Sequence, residues 1–244
     1  MTLEGQRIVL IGGSSGIGLA TAKAAVARGA EVVIAGRSTE RLERARRSIG
    51  GGIEAYRLDA TEEASVEAFF RHIATFDHLS ILVPATPNAK VRAGMGRFRE
   101  TSQGVFEAIF VNKFWAQVYC VRHALPHMSE RGSIVFITGQ AHRKAIPSYM
   151  SVAAADAAIE ALARTLAAEL APLRVNVMAP GLIGTPLMET LPDETRQALA
   201  AKTKPLPIPR MGTAEEIAQG ILMLMENAYV TGTVLEIDGG YKLS

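Results

Sequence analysis

Cysteine is almost missing from this chain of 244 residues: Cys120 stands alone. No intrachain disulfide is possible, and a reducing compartment fits. Cys120 falls in an apolar helical run, where a small buried side chain is expected rather than a reactive thiol. Charge of one sign in excess is also missing, since the net charge is +2. The one basic cluster, Arg41, Arg44, Arg46 and Arg47, falls on a single predicted helix and reads as a solvated face, so no nucleic-acid partner is expected. No stretch reaches the roughly 18 apolar residues of a membrane span, and the start has no charged segment followed by a long apolar run. Internal repeats and low-complexity linkers are absent. These absences leave one cytoplasmic domain over residues 1–244, with no metal site and no membrane partner expected.

What is present begins with hydrophobic content of 48%, enough for one substantial core. The chain is organised around residues 8–37, IVLIGGSSGIGLATAKAAVARGAEVVIAGR. Ile8 to Ile11 form a continuous apolar run, the mark of a strand covered on both faces of a parallel sheet. Gly12, Gly16 and Gly18 then allow a sharp turn, close approach of amides to a diphosphate, and packing of the next helix on the sheet. That helix directs its N-terminal amides, from Ser14, Ser15, Gly16 and Ile17 onward, and its positive dipole end at an anion. Strand, glycine turn, helix and strand in this order form half of a dinucleotide site.

An acid at the end of the second strand would bind a ribose 2′-hydroxyl, and a cation would bind a 2′-phosphate. This chain has Arg37, followed by Ser38. A guanidinium fork with flanking hydroxyls suits a phosphate, so NADP(H) is favoured over NAD(H). The other reading makes Arg37 a solvated charge at the start of the arginine-rich helix.

Further along, helices are expected at 39–48, 62–74, 105–128 and 148–170, and strands at 53–58, 79–83, 133–138, 175–178 and 234–237. Gly50, Gly51 and Gly52 close the first of these helices. Asp59, followed by Ala60, ends the third strand and either accepts from an adenine amino group or caps the next turn. Residues 84–104 have no clear period and read as a loop or flap at the ligand edge. Asn112 lies inside a long apolar helix, where its amide needs partners. Pro180, Gly181, Ile183 and Thr185 follow the sixth strand at the edge where ligands bind. Residues 186–210 hold Pro186, Pro192, Pro205, Pro207 and Pro209 around a short helix, with Leu187, Met188, Leu191, Leu206 and Ile208 exposed or facing a pocket. They form a substrate lid, a packing excursion or a subunit contact. Thr213 and Glu216 make a capping box for the last helix. Alternating strands and helices imply an α/β fold with a parallel sheet.

With these residues in view, the chain resembles the short-chain dehydrogenase/reductase family over essentially its whole length. GGSSGIG, Asp59, Asn112, PGLIGT at 180–185, RMGTAEEIA at 210–218 and VTGTVLEIDGG at 230–240 match in order. The resemblance implies a Rossmann-type, doubly wound parallel sheet of seven strands with helices on both faces, binding NAD(P)(H) at its C-terminal edge, and a homodimer or homotetramer. It also implies catalysis by a serine, a tyrosine and a lysine four residues after the tyrosine, beside the asparagine at Asn112.

Three of those four residues are replaced. The serine position falls at Gly139, the tyrosine position at Val152 and the lysine position at Asp156, and the Asn-Asn-Ala-Gly after strand four becomes Val83, Pro84, Ala85 and Thr86. Helix residues 148–160 contain no lysine, and an acid at 156 opposes phenolate formation. Substitutes for the proton donor are Tyr149, one turn before Val152, and His142 and Lys144 in the adjoining loop; a packing role for Tyr149 and a surface role for His142 are the alternatives. Thr138 either replaces the serine hydroxyl or caps a loop. The expected activity is an NADP(H)-dependent oxidoreductase acting on an apolar carbonyl or alcohol through a non-standard proton relay. The competing expectation is a catalytically degenerate NADP(H)-binding sensor or regulatory subunit.

Overall fold

In the computed structural model, residues 2–243 are described, apart from Gly51, Ala85, Pro87 and Thr190. Gly51 of the expected glycine stop and Ala85 of the altered signature after strand four therefore lie outside the described residues.

The apolar run at the start becomes β1 (Arg7–Ile11), and the glycine turn leads into α1 (Gly16–Val26). The succession continues as β2 (Glu31–Gly36), α2 (Thr39–Ile49), β3 (Glu54–Arg57), α3 (Glu63–Arg71) and β4 (Phe76–Ile81). After a short α4 (Ala89–Ala93) come α5 (Gln103–Phe110), a π-turn (Val111–Trp115) and α6 (Ala116–Ala124). Then follow β5 (Met128–Ile137), α7 (Met150–Glu169), β6 (Arg174–Pro180), β7 (Ile183–Gly184), α8 (Pro186–Glu189) and α9 (Asp193–Ala201). The last elements are β8 (Gly212–Thr213), α10 (Ala214–Glu226), β9 (Val234–Ile237) and a 3₁₀ turn (Tyr241–Leu243). Seven strands pair in the order β3-β2-β1-β4-β5-β6-β9, every pair parallel.

Period-two alternation divides the core between the faces of this sheet. Val9 and Ile11 of β1 join Phe70, Phe76 and Phe136 on one face, while Ile8 and Leu10 join Ile34, Val135 and Ile221 on the other. Strand order reverses at β1, whose neighbours are β2 and β4. Connections leaving β1 and β4 diverge there and open a crevice at the strands' C-terminal ends, where ligands bind in such sheets.

Several elements differ from the sequence reading. β4 begins at Phe76 rather than Leu79, because Phe76 pairs with Met128 across a register shift, and Leu82 and Val83 leave the sheet to line the crevice. β5 likewise starts at Met128, through residues expected to finish a helix and a loop. The long helix expected over 105–128 is interrupted by the π-turn and ends in a 3₁₀ turn at Leu125–His127. Residues 84–104 contain α4, and 186–210 contain two helices rather than one. Leu206, expected to be exposed or facing a pocket, is buried, with Gly239 packed close by. The capping box at Thr213 and Glu216 is present with both hydrogen bonds, and β9 has the bounds read from the sequence.

Candidate active site

The crevice at the strand-order reversal is a cleft of about 610 Å³, a size suited to a cofactor or substrate. Glycines shape its floor. A Cβ on Gly12, at φ +89°, would stand 2.2 Å from the Leu82 carbonyl oxygen, and one on Gly18 would stand 2.2 Å from the Gly12 carbonyl oxygen. Only backbone without side chains closes this far, and the approach brings α1's first turn into the cleft wall. Ser15 N-caps α1 in extended conformation without donating or accepting a side-chain capping bond. The first amides of α1 therefore face the cleft without a capping side chain, as an anion site requires.

Cations flank that turn. Arg37, Ser38 and Arg41 line the cleft beside Gly36 at the end of β2. Ser38 Oγ accepts from the Arg41 amide at 3.3 Å, which caps α2 and sets Arg41 in its first turn, just after Arg37. Neither guanidinium has an ion pair among the described residues. Asp59 lines the same half, but its Oδ1 accepts from the Thr61 amide at 3.0 Å and the Thr61 hydroxyl at 2.7 Å. Of the two roles open to Asp59, the turn-capping one is thus made within the chain. Ala60 lies beside it in the lining.

The other half of the cleft is built by β4, α4, the π-turn and residues 185–187. Asn112 lines it at 3% exposure and donates from Nδ2 to the Pro84 carbonyl at 2.7 Å. Its amide thereby ties the π-turn to the chain leaving β4. π-turns recur at functional sites because the extra residue redirects side chains within a helix. Thr185 also lines the cleft, while Pro180, Gly181 and Ile183, expected at the ligand edge, lie outside its lining. Gly181 packs against Asp238, where a Cβ would meet Cα at 2.6 Å, and Ile183 pairs with Gly212.

The positions where the resemblance implies serine, tyrosine and lysine carry a different arrangement. Val152 is buried with Ile109 and Ala155, and Tyr149 packs against that cluster. Asp156 is 1% exposed and faces Lys113 of the π-turn, Nζ to Oδ1 at 2.8 Å. The contact neutralises the carboxylate mainly through charge. Burial pushes the Asp156 carboxyl above the ordinary carboxylate range, against the opposing pull of Lys113 and a weaker one of His142. Gly139 leaves space on this side, since a Cβ there would sit 3.4 Å from Asp156 Oδ2.

His142 does not line the cleft. Its Nε2 lies 3.1 Å from Glu160 Oε2, and Arg143 holds the same carboxylate through both of its terminal nitrogens. The Thr138 hydroxyl donates to Glu160 Oε1 at 3.1 Å, so it serves this buried cluster. Lys144 lies over the Tyr241 ring at 4.9 Å and donates to the Tyr241 carbonyl. Asn112 is therefore the one proposed catalytic residue that the fold brings to the cleft, while Tyr149 and His142 lie outside its lining.

Sequence reasoning missed Arg41, Thr61, Asn88 and Arg92 in the lining and the Lys113–Asp156 pair. Arg41 had a signal: it stands one helical turn after Arg37, behind a serine able to cap. The pair had one too, a lysine inside the apolar run 108–121 and an acid at 156 on an otherwise alanine-rich stretch of the next long helix.

Comparison with known proteins agrees with this geometry. Residues 12–242 match the model of the family described as enoyl-(acyl carrier protein) reductase. The chain is 35% identical to the cis-4-hydroxycyclohexanecarboxylate dehydrogenase of Sinomonas cyclohexanicum, over 96% of this chain and 95% of the relative. It is 31% identical to the 3-oxoacyl-(acyl-carrier-protein) reductase FabG of Thermotoga maritima, over 98% of this chain and 99% of that one. Among solved structures, a short chain dehydrogenase/reductase family protein superposes with TM-score 0.85 at 32% identity, with all of both chains covered. A small-chain dehydrogenase in complex with NADPH superposes with TM-score 0.79 at 29% identity, covering 99% of this chain and 100% of the other.

Proposed function

Because the chain belongs to the short-chain dehydrogenase/reductase family and is an oxidoreductase of that type, we propose that it uses NADP(H) to interconvert a carbonyl and an alcohol through a proton relay unlike the family's usual one. The observation that carries the cofactor choice is the position of Arg37 just after β2 and of Arg41 in the first turn of α2, both lining the cleft and both without a carboxylate partner among the described residues. An acid in that place would repel a 2′-phosphate; two guanidiniums attract it. The NADPH-bound neighbour supports the same reading.

The residues present fit the cofactor. Amides of Ser14 to Gly18 would hold the diphosphate at the α1 N-terminus, Arg37, Ser38 and Arg41 the ribose phosphate, and Asn112 and Thr185 the reactive end. When bound, the nicotinamide supplies or accepts the hydride at the carbonyl carbon. The protein's part is to shield that carbon from water and to deliver or remove one proton at the oxygen. Leu187, half exposed and lining the cleft, covers this end as part of a lid over residues 186–210.

For the proton we propose Asn112 as the group that positions a water or the substrate oxygen, with Tyr149 and His142 as the donors, connected to it through water. Tyr149 stands at the N-terminal end of α7 and near enough to Tyr241 to raise that phenol's pKa, the smaller cause beside burial. The half-exposed Val111 and Trp115 form an apolar face on the α5–α6 rod that suits the contact expected of a homodimer or homotetramer. A second reading, an NADP(H)-binding sensor without turnover, is favoured by one observation: neither Tyr149 nor His142 lines the cleft. The experiment that separates the two is turnover of NADPH with a panel of ketones, aldehydes, quinones and imines. Oxidation matched to product formation supports the oxidoreductase, and NADPH binding without oxidation of any panel member supports the sensor.

A further inference from the structure

Arg92 is a cation in the cleft that the cofactor reading leaves without a task. It lies on α4, in the half built by β4 and the π-turn, whereas Arg37 just after β2 and Arg41 in the first turn of α2 stand in the other half. The diphosphate has the α1 amides and the ribose phosphate has the two arginines of the β2 side. Arg92 makes no ion pair and no side-chain hydrogen bond among the described residues, although it is half-buried. A guanidinium that lines a cleft and is engaged by no carboxylate is available to bind an anion there.

The local structure holds it in place. Asn88 N-caps α4, its Oδ1 accepting from the Val91 amide at 2.9 Å. Val91 packs into the cluster of Ile109 and Val152 against which Tyr149 also packs. At the far end, Gly94 lies so close to Val105 of α5 that a Cβ would meet its Cγ2 at 2.8 Å. One side of this short helix is thus bound to the Tyr149 end of the molecule while Arg92 faces the cleft. The neighbourhood stays positive: Lys90, Arg97 and Arg99 are close in sequence, and the one acid of that stretch, Glu100, is turned to its own loop by the Arg97 amide at 3.1 Å.

We propose that Arg92 anchors an anionic group of the substrate, a carboxylate or a phosphate, so that the protein acts on carbonyl or alcohol compounds carrying a negative charge away from the reacting carbon. This inference rests on the oxidoreductase reading and narrows its substrate class. A planar fork suits either anion through two parallel hydrogen bonds. Leu187 in the same half supplies apolar contact for the carbon skeleton between the charge and the carbonyl.

The test compares anions with neutral counterparts, using binding to NADP⁺-saturated protein by calorimetry and reduction with NADPH. One arm takes 4-oxopentanoate against its methyl ester, and the other takes acetoacetyl-4′-phosphopantetheine against acetoacetyl-pantetheine. Expected is binding of the anion in at least one arm about 10–100-fold tighter than its neutral partner, a preference lost in Arg92→Ala and partly kept in Arg92→Lys. NADPH affinity of both variants should stay within about threefold of the parent, since α4 remains capped and packed. Preference for the anion in the first arm identifies a carboxylate, and in the second a phosphate. Equal binding of each pair, binding of neither member, or a loss of NADPH affinity in Arg92→Ala as large as the loss of anion affinity overturns the proposal. Reduction of uncharged ketones alongside any of these results leaves the oxidoreductase reading standing. Selective anion binding without reduction of any compound keeps Arg92 in its role and removes that reading instead.

Discussion

Lys113 and Asp156 lie 2.8 Å apart, 3% and 1% exposed, one on the π-turn and the other in the middle of α7. Two opposite charges buried together hold two helices in a single register, and removing one leaves the other without solvent or partner. Lys113→Met should therefore lower stability by about 3–5 kcal/mol, measured by urea unfolding. Lys113→Met combined with Asp156→Leu should recover most of that loss. A double variant no more stable than the single one contradicts the pairing.

His78 is buried between Gln6 Oε1 at 2.5 Å and Ser133 Oγ at 2.8 Å. Burial, and secondarily the charge of Arg174, lower its pKa to about 4. The unfolded chain then takes up a proton near pH 6.5 that the folded chain takes up only near 4, so stability is intact above about 6.5 and falls as pH drops through that window. The loss should be roughly 3 kcal/mol between those limits. Urea midpoints of the parent and of His78→Gln across pH 4–7 test it; equal slopes for the two proteins would rule the assignment out.

The structure shows which parts of the sequence could be read and which could not. β1, the glycine turn, the capping box at Thr213 and the strand Val234–Ile237 depend on residues within a turn or two of each other, and local chemistry specified them. The start of β5 did not follow that logic: residues 128–132 join the sheet because Met128 finds Phe76, far away in the chain. The π-turn was invisible for the same reason, since Asn112 is held by the Pro84 carbonyl and Lys113 by Asp156. In the site, Arg37 and Ser38 were legible from their place after a strand. Arg92 was hidden in a stretch without period, where a five-residue helix turns it to the cleft.

Gly18 has no space for a side chain. A Cβ would stand 2.2 Å from the Gly12 carbonyl oxygen and 2.9 Å from Gly13 Cα. Gly18→Ala should displace α1 from the turn and weaken NADPH binding at least about 100-fold, because several amide contacts to the diphosphate are lost together. Retention of parental affinity in a folded variant would show that these amides do not bind the phosphates.

Asn112, Tyr149 and His142 can be separated by kinetics. Asn112→Ala removes the bond to Pro84 and should lower kcat about 10–100-fold once a substrate is in hand. Tyr149→Phe and His142→Ala should each lower kcat in the range of about 10²-fold or more if they carry the proton, with NADPH affinity unchanged. Rates within twofold of the parent for both variants would remove them from the relay.

The measurement closest to the central claim is a titration of the purified protein with NADPH and with NADH, followed by nicotinamide fluorescence and repeated with Arg37→Ala. NADPH should bind more tightly than NADH, and Arg37→Ala should weaken NADPH by about 10–100-fold while leaving NADH nearly unchanged. Equal affinities for the two nucleotides, unaltered by the substitution, would contradict the assignment of the β2 arginines to a 2′-phosphate, and binding of neither at millimolar concentration would contradict the cofactor site itself.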